Sequence, residues 1–250
     1  MEKQLVFFDV DGTLMFGHNH ICDEDVEALN RLQAAGHEIF INTGRSRSLI
    51  PQRLLKEVKF DGFVCGSTYV EYHGKVLHSL CIDNESIAGF CRYAKESGIS
   101  VILEGEKQAY GINGGCFHPC IDITEALEEC LVDPSFMRLT KMTTDCDIPK
   151  RVAMRFPKIR FINFGTYGEQ IVAGYDKAFG IKMLCDKLSV PYKNTVAFGD
   201  SLNDVEMLKF VGKGVAMKSA PASFDEYVYL RTEADEGGVC EGINKIFFGE

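Results

Sequence analysis

Leu5-Val6-Phe7-Phe8-Asp9-Val10-Asp11-Gly12-Thr13 decides the reading of the whole chain. Four consecutive apolar residues predict a strand buried on both faces of a parallel sheet. Sheets of that class hold ligands beyond the carboxyl ends of their strands, which is where Asp9 and Asp11 fall. On an extended backbone the two side chains point the same way, because side chains alternate along a strand. Gly12 follows at once and lets the backbone come close to an anion. Two acids so placed repel each other unless something cationic sits on them.

Outward from this strand the rhythm is α/β. A helix is expected with Asp23 as its cap and Glu24 and Asp25 in its first turn. Val26, Leu29 and Leu32 mark one face and Gly36 the end. Residues 37–41 read as a second strand, running into Asn42-Thr43-Gly44-Arg45. Ser48 is expected to cap a further helix with Pro51 in its first turn, and residues 60–65 form a third strand. This alternation predicts a doubly wound, mostly parallel sheet.

The rhythm then changes. Residues 70–80 predict a hairpin turning at His73-Gly74. A helix over 85–96, strands over 101–103 and 108–112, a short helix over 126–130 and strands over 152–156 and 161–164 follow. This α+β character predicts an inserted domain over 81–173 between two halves of the core, 1–80 and 174–250. The α/β pattern returns with a helix over 178–188 and a strand over 195–198. Gly199-Asp200, a helix over 205–210 and short strands over 215–217 and 227–229 complete it.

The chain has 250 residues, 46% apolar and 25% charged, ordinary proportions for a soluble globular protein. No run reaches the about 18 apolar residues of a membrane span, and Asp9 stops the N-terminal run too early for a signal peptide. A net charge of -9 disfavours nucleic acid or an anionic membrane as partner. The ten cysteines are scattered without a Cys-x-x-Cys pair and read as small buried thiols in a reducing cytoplasm. Cys116-Phe117-His118-Pro119-Cys120 lacks a second pair of ligands and is not read as a zinc site.

Strand-end acids recur at Gly199-Asp200-Ser201-Leu202-Asn203-Asp204. Bringing two carboxylates to about 4 Å costs on the order of 4 kcal/mol at an effective dielectric near 20, roughly the value for sites near a protein surface. A hard divalent cation removes that repulsion, and carboxylate oxygens with few other ligands suit Mg²⁺. Thr43 follows the second strand and Lys177 opens a helix, so a hydroxyl and a fixed positive charge join the same strand ends. Each residue has a plainer reading by itself. Asp9 and Asp11 read as turn residues, Thr43 as a satisfied loop hydroxyl, Asn203 and Asp204 as helix caps. Lys177 reads as a solvated lysine, although a cation is disfavoured at a helix N-terminus. Arg45 and Arg47 read as surface charges and His18 and His20 as a polar loop. Tyr110, Asn113 and His118 stand beside the glycines of 111–115, either in the insert's core or facing a crevice. Taken together and in order, the set favours catalysis.

Asp9-Val10-Asp11-Gly12-Thr13-Leu14, Thr43-Gly44-Arg45, Lys177 and Gly199-Asp200-Ser201-Leu202-Asn203-Asp204 resemble the four ordered motifs of the haloacid dehalogenase superfamily. The chain is similar to its Cof-type phosphatases, which carry a large α+β cap between the second and third motifs. Glu236-Gly237-Gly238-Val239 resembles that subfamily's tail. The resemblance implies a Rossmann-like core and Mg²⁺-dependent hydrolysis of small organic phosphate monoesters, sugar phosphates foremost. It implies a cytoplasmic protein whose partner is a small phosphorylated metabolite, with no nucleic acid, membrane or obligate protein partner.

It also implies roles. Asp9 would be the nucleophile, and Asp11 the general acid and then the general base. Asp9, Asp200 and the backbone carbonyl of Asp11 would hold the metal, with Asp204 supporting it. Gly12, Thr43, Gly44 and Asn203 would hold the phosphoryl group, and Lys177 would steady Asp9 and the transferring charge. The cap would close over the leaving group. The chain departs from the pattern at Gly66-Ser67, where the subfamily reads Asn-Gly, and at Ala216-Met217-Lys218-Ser219-Ala220, which lacks Gly-Asn before its last alanine. Two further readings stay open. One is phosphoryl transfer to a sugar, as in a mutase. The other is a non-catalytic phosphate-ligand binding protein, which four intact motifs disfavour.

Overall fold

In the computed structural model, which describes residues 2–17, 20–115, 120–133, 136 and 138–250, the run Leu5–Phe8 is a strand, β1, with all four side chains buried. The chain continues through α1 (Asp23–Ala34), β2 (Glu38–Thr43), α2 (Gln52–Glu57), β3 (Gly62–Cys65), β4 (Tyr69–Tyr72) and β5 (Lys75–Ser79). Next come α3 (Asn84–Ser97), β6 (Val101–Gly105), β7 (Ala109–Ile112), β8 (Ile121–Asp122), α4 (Leu127–Leu131) and β9 (Leu139–Thr144). They are followed by α5 (Lys150–Ala153), β10 (Ile159–Asn163), β11 (Gly168–Val172) and α6 (Lys177–Leu188). The last elements are β12 (Thr195–Gly199), α7 (Val205–Phe210), β13 (Lys213–Ala216), β14 (Leu230–Arg231) and α8 (Gly238–Ile243). Two compact units result: Met1–Gly44, Ile50–Leu77 and Asp176–Glu250 form one, Arg45–Leu49 and His78–Tyr175 the other.

The first unit is built on an eight-stranded sheet of order β14-β13-β12-β1-β2-β3-β4-β5. Every pair from β14 to β3 is parallel, and β4 then runs antiparallel to β3. β1 lies between β12 and β2, with Phe8 opposite Phe198 on one side and Ile41 on the other. One sheet face packs Val6, Phe8 and Ile41 against Leu29 of α1 and Val239 and Ile243 of α8. The other packs Phe7 and Phe40 against Ile181 and Leu184 of α6 and Met207 of α7. Phe7 stacks on Phe40 at 5.0 Å and Phe8 on Phe198 at 4.9 Å. Each fully buried Phe side chain contributes roughly 1.5–3 kcal/mol, so β1 is held from both faces.

The helix starts differ from the sequence expectation. Asp23 is the first helical residue of α1 rather than its cap; Cys22 precedes it without a side-chain capping bond. Asp25 is buried instead, and its carboxylate accepts the Cys240 N–H at 2.7 Å. An acid at the start of α8 suits the unpaired amides and positive dipole end there. Ser48 does not cap α2, which follows Pro51 directly. Residues 227–229 are not a strand; β14 begins at Leu230, after a single 3₁₀ turn over Ala222–Glu226.

The helix α6 carries Lys177. Its cap is Asp176, whose carboxylate accepts the Ala178 N–H at 2.9 Å. Gly180 lies directly over Val64 of β3, where a Cβ would collide with both Val64 methyl groups. The missing side chain lets the first turn of α6 approach the sheet closely.

The second unit has a six-stranded sheet of order β10-β11-β9-β6-β7-β8, antiparallel except between β7 and β8. Its core joins Val101, Leu103 and Met142 of the sheet to Phe90 of α3, Leu127 of α4 and Val152 of α5. Asp83 caps α3 through the Ser86 N–H, and Gly98 ends it at φ 68. Residues 152–156, expected as a strand, begin inside a helix. Pro149 precedes α5, and Val152 and Phe156, four apart, both enter the core. Met154 between them is exposed, which a strand face shared by 152, 154 and 156 would not give. The short segment Arg45–Leu49 belongs to this unit. Ser46 donates its N–H to Glu104 Oε2 at 3.2 Å and the Ser48 hydroxyl donates to the Gly105 carbonyl at 2.7 Å.

Tyr110 packs on Phe136, and Asn113 is structural, donating through Nδ2 to the Ala94 and Ile99 carbonyls. His18 and residues 116–119, with Cys116 and His118, lie outside the described residues. No helix among the described residues is long and apolar enough to cross a membrane. Gly180→Ala should push α6 off the sheet and cost about 1–3 kcal/mol of stability, as overpacking of a dense core does. Urea unfolding measures it; an unchanged midpoint would show that Val64 yields.

Candidate active site

β1 ends by delivering Asp9, whose N–H donates to the Phe198 carbonyl at 3.1 Å and so ties it to β12. Only 3% of Asp9 is exposed. β12 ends at Gly199, where a Cβ would sit 2.6 Å from the Asp204 carboxylate carbon, and the chain then turns through Asp200. The turn is closed by Asp204. Its Oδ2 accepts the N–H groups of Asp200 at 3.1 Å and Ser201 at 3.0 Å. Its Oδ1 meets the Lys177 ammonium at 2.6 Å, and that ammonium lies 2.9 Å from Asp9 Oδ1. Lys177 and Asp204 are both buried.

Asp200 is held from the N-terminal side. The Thr13 hydroxyl donates to its Oδ1 at 3.0 Å. Gly12, at φ +80, leaves space that a Cβ would take from the Asp200 carboxylate. Thr43 is buried at the end of β2, and its carbonyl accepts the Gly66 N–H at 3.0 Å. Gly66 and Ser67 both adopt positive φ there, at 53 and 63. Gly44 faces Asn203: a Cβ on Gly44 would lie 3.6 Å from the Asn203 Nδ2. The Ser201 hydroxyl stands 3.0 Å from Asn203 Oδ1, which leaves the amide nitrogen as the end that faces Gly44.

Acceptor oxygens of Asp9, Asp200 and Asp204 lie within 4.8 Å of one another. The Asp11 carboxylate is exposed and is not one of these three; its backbone bridges to Met15. Burial pushes the Asp9 carboxyl up to about 8; Lys177 opposes the rise, and Asp204 and Asp200 add to it. Burial also pushes Asp200 up to about 6, with Asp204 adding and the Thr13 hydroxyl and Lys177 opposing. Burial would lower the Lys177 ammonium, but Asp204 and Asp9 outweigh it and hold it above the usual lysine range.

With all three acids ionised, one ammonium would leave two negative charges uncompensated, which is why the carboxyls of Asp9 and Asp200 are raised further by their acidic neighbours. A hard divalent cation fits that deficit and the all-oxygen donor set. Asp9 and Asp200 are its natural holders. Both oxygens of Asp204 are already engaged, so Asp204 holds the lysine and the Asp200 turn in place. The sequence reading did not single out Thr13 and Ser201. A signal existed for the second: Ser201-x-x-Asp204 has capping-box spacing, and the box is formed.

A model of the haloacid dehalogenase-like hydrolase family matches residues 6–243. YitU of Bacillus subtilis (strain 168), a 5-amino-6-(5-phospho-D-ribitylamino)uracil phosphatase, is 24% identical over 273 residues, covering 97% of this chain and 97% of YitU. In structure the chain is similar to a hypothetical protein of Geobacillus kaustophilus HTA426, with 27% identity, a TM-score of 0.84 and 98% of each chain covered. It is also similar to the HAD subclass IIB sugar phosphatase BT4131, with 23% identity, a TM-score of 0.80 and coverage of 97% and 98%.

A carboxyl raised on folding keeps its proton after the unfolded chain has lost it. For Asp9 the resulting stabilisation is fully present below 3.8 and is lost as the pH rises through about 8. Without metal, the stability of the wild type relative to Asp9→Asn should therefore fall between about pH 5 and 8, by at most about 1.4 kcal/mol per pH unit. Saturating Mg²⁺ should remove most of the fall. Unfolding midpoints across that range decide the matter, and a flat difference without metal would contradict the burial argument.

Proposed function

This chain belongs to the haloacid dehalogenase-like hydrolase family and is a phosphatase, and on that premise we propose that it hydrolyses small organic phosphate monoesters with Mg²⁺ through an aspartyl-phosphate. The observation that carries the proposal is the single Lys177 ammonium set between Asp9 at 2.9 Å and Asp204 at 2.6 Å, with Asp200 beside them. A structural ion pair needs one acid; here three converge at strand ends.

In the proposed reaction a carboxylate oxygen of Asp9 attacks phosphorus. The bond from phosphorus to the ester oxygen breaks, its electron pair stays on the departing alkoxide, and Asp11 gives that oxygen a proton. Asp11, exposed and next to the strand end, then takes a proton from water as the water oxygen attacks phosphorus. The bond to Asp9 breaks, its carboxylate is restored, and inorganic phosphate leaves. Lys177 opposes the rise that burial imposes on the Asp9 carboxyl and so favours its charged, attacking form. Gly12, Thr43, Gly44 and Asn203 are assigned to the phosphoryl oxygens, as oriented donors that need no rearrangement during reaction. Mg²⁺, held by Asp9, Asp200 and the Asp11 carbonyl with Asp204 in support, would offset charge on the transferring group.

Sugar phosphates are the leading substrate class. BT4131 is named a sugar phosphatase, and YitU a phosphatase of a phosphoribitylamino compound. Both names point to polyhydroxylated phosphate esters. The second unit is assigned the choice of leaving group. A reducing, cytoplasmic setting suits the free thiols of the described cysteines.

Purified protein with Mg²⁺, tested on sugar, nucleotide and cofactor phosphates, should release inorganic phosphate fastest from a sugar phosphate. In heavy-oxygen water the label should enter that phosphate; transfer to a second sugar without label would replace hydrolysis by a mutase reaction. Asp9→Asn should lower turnover by about a thousandfold or more with the fold retained, and an active variant would remove Asp9 as nucleophile. Lys177→Ala should lower turnover more than it weakens Mg²⁺ binding, and the reverse order would contradict its role.

A further inference from the structure

Asn42 is fully buried in β2, one residue before Thr43. It lies on the face that meets α6 and α7. Its cross-strand neighbour is Val64, and Phe40 precedes it on the same face. Its Nδ2 donates to the backbone carbonyl of Lys177 at 2.8 Å and lies 3.1 Å from Met207 Sδ. Its Oδ1 is buried with no hydrogen-bond partner.

As packing alone, this residue is poorly chosen. Asn is depleted in strands, and a buried carbonyl without a donor is unfavourable. A valine would complete the apolar face. Where a buried residue breaks local rules without local gain, the compensating gain lies elsewhere. The hydrogen bond that the Asn42 side chain donates to an oxygen leads to the first residue of α6. That residue is Lys177, whose side chain must reach Asp9 and Asp204 together.

Two contacts thus locate the first turn of α6. Gly180 against Val64 sets how closely the helix approaches the sheet. A close apolar contact does not stop the helix from sliding along its axis or rolling, whereas a hydrogen bond to one named carbonyl does. Lys177 and Gly180 are three residues apart and share a helix face. We propose that Asn42 is a positioning residue: its amide, bonded to the Lys177 carbonyl, holds α6 in the register that presents the ammonium to both carboxylates. The inference rests on the reading of Lys177 given above.

The test is a double-mutant cycle with Asn42→Val, Lys177→Ala and the pair, using p-nitrophenyl phosphate and Mg²⁺. Asn42→Val should keep or raise the melting temperature. Its kcat should fall about 5- to 30-fold, the factor that one to two kcal/mol corresponds to, with KM nearly unchanged. Added to Lys177→Ala, it should cause no further loss. A merely structural Asn42 would lower the melting temperature and leave kcat per folded molecule intact. Full kcat in Asn42→Val, or a loss that multiplies with that of Lys177→Ala, overturns the inference. Should Asn42→Val not fold, the smaller Asn42→Ala goes through the same cycle with the same deciding outcomes. A slow Lys177→Ala beside a fast Asn42 variant defeats this inference alone. A fast Lys177→Ala defeats the reading of the site and the inference with it.

Discussion

A buried ammonium shared by two carboxylates is the constraint around which this site is arranged. Removing a lysine and two acids from water costs several kcal/mol per ion, and attraction repays that only when geometry is close and the remaining lone pairs are satisfied. Here the distances are 2.6 and 2.9 Å, and the second oxygen of Asp204 takes two backbone N–H groups. Asp204 is thereby neutralised and fully bonded. Asp9 is not: its carboxyl remains raised in spite of Lys177. The pair is stable enough to persist and unbalanced enough to keep one acid responsive to a further cation.

The fold makes this arrangement from pieces far apart in sequence. β1 sits between β2 and β12 and runs parallel to both, so all three strands release their next residues at the same carboxyl end of the sheet. Close approach is then needed at three places, and each is glycine: Gly12 beside Asp200, Gly199 beside Asp204, and Gly180 beneath Val64. At each a methyl group would occupy space now held by a carboxylate or by the sheet against which α6 packs. The stacked pairs Phe7–Phe40 and Phe8–Phe198 fix β1 on its two faces, so the strand that carries Asp9 has little freedom to move away.

Much of this was legible in the chain. The run 5–8 is apolar throughout because both sheet faces are covered, and the residues after each strand are acids, glycines and a threonine that have little reason to stand there as packing. What was not legible depended on distant partners. β9 reads Leu-Thr-Lys-Met-Thr-Thr, an unpromising strand until Lys141 meets Glu169 at 2.6 Å and Thr143 meets Glu104 at 2.7 Å. In residues 152–156, Val152, Met154 and Phe156 alternate like a strand, yet Met154 is exposed while Val152 and Phe156 are buried. Asp25 resembles an ordinary first-turn acid, and only the fold brings Cys240 to it. Thr13 gains its role in the same way, from a carboxylate 187 residues later.

The placement of Arg45–Leu49 bears on how such proteins can be recombined. The second unit is not one continuous insertion, since Glu104 and Gly105 take donors from Ser46 and Ser48. A graft carrying only residues 78–175 into a related scaffold would leave a buried glutamate oxygen and a strand-end carbonyl without the hydrogens they hold here. Inheritance or design that exchanges this unit intact must carry the five-residue staple along with it, and that staple begins directly after Gly44. Exchange of the second unit is thus coupled to the stretch that directly follows Thr43-Gly44.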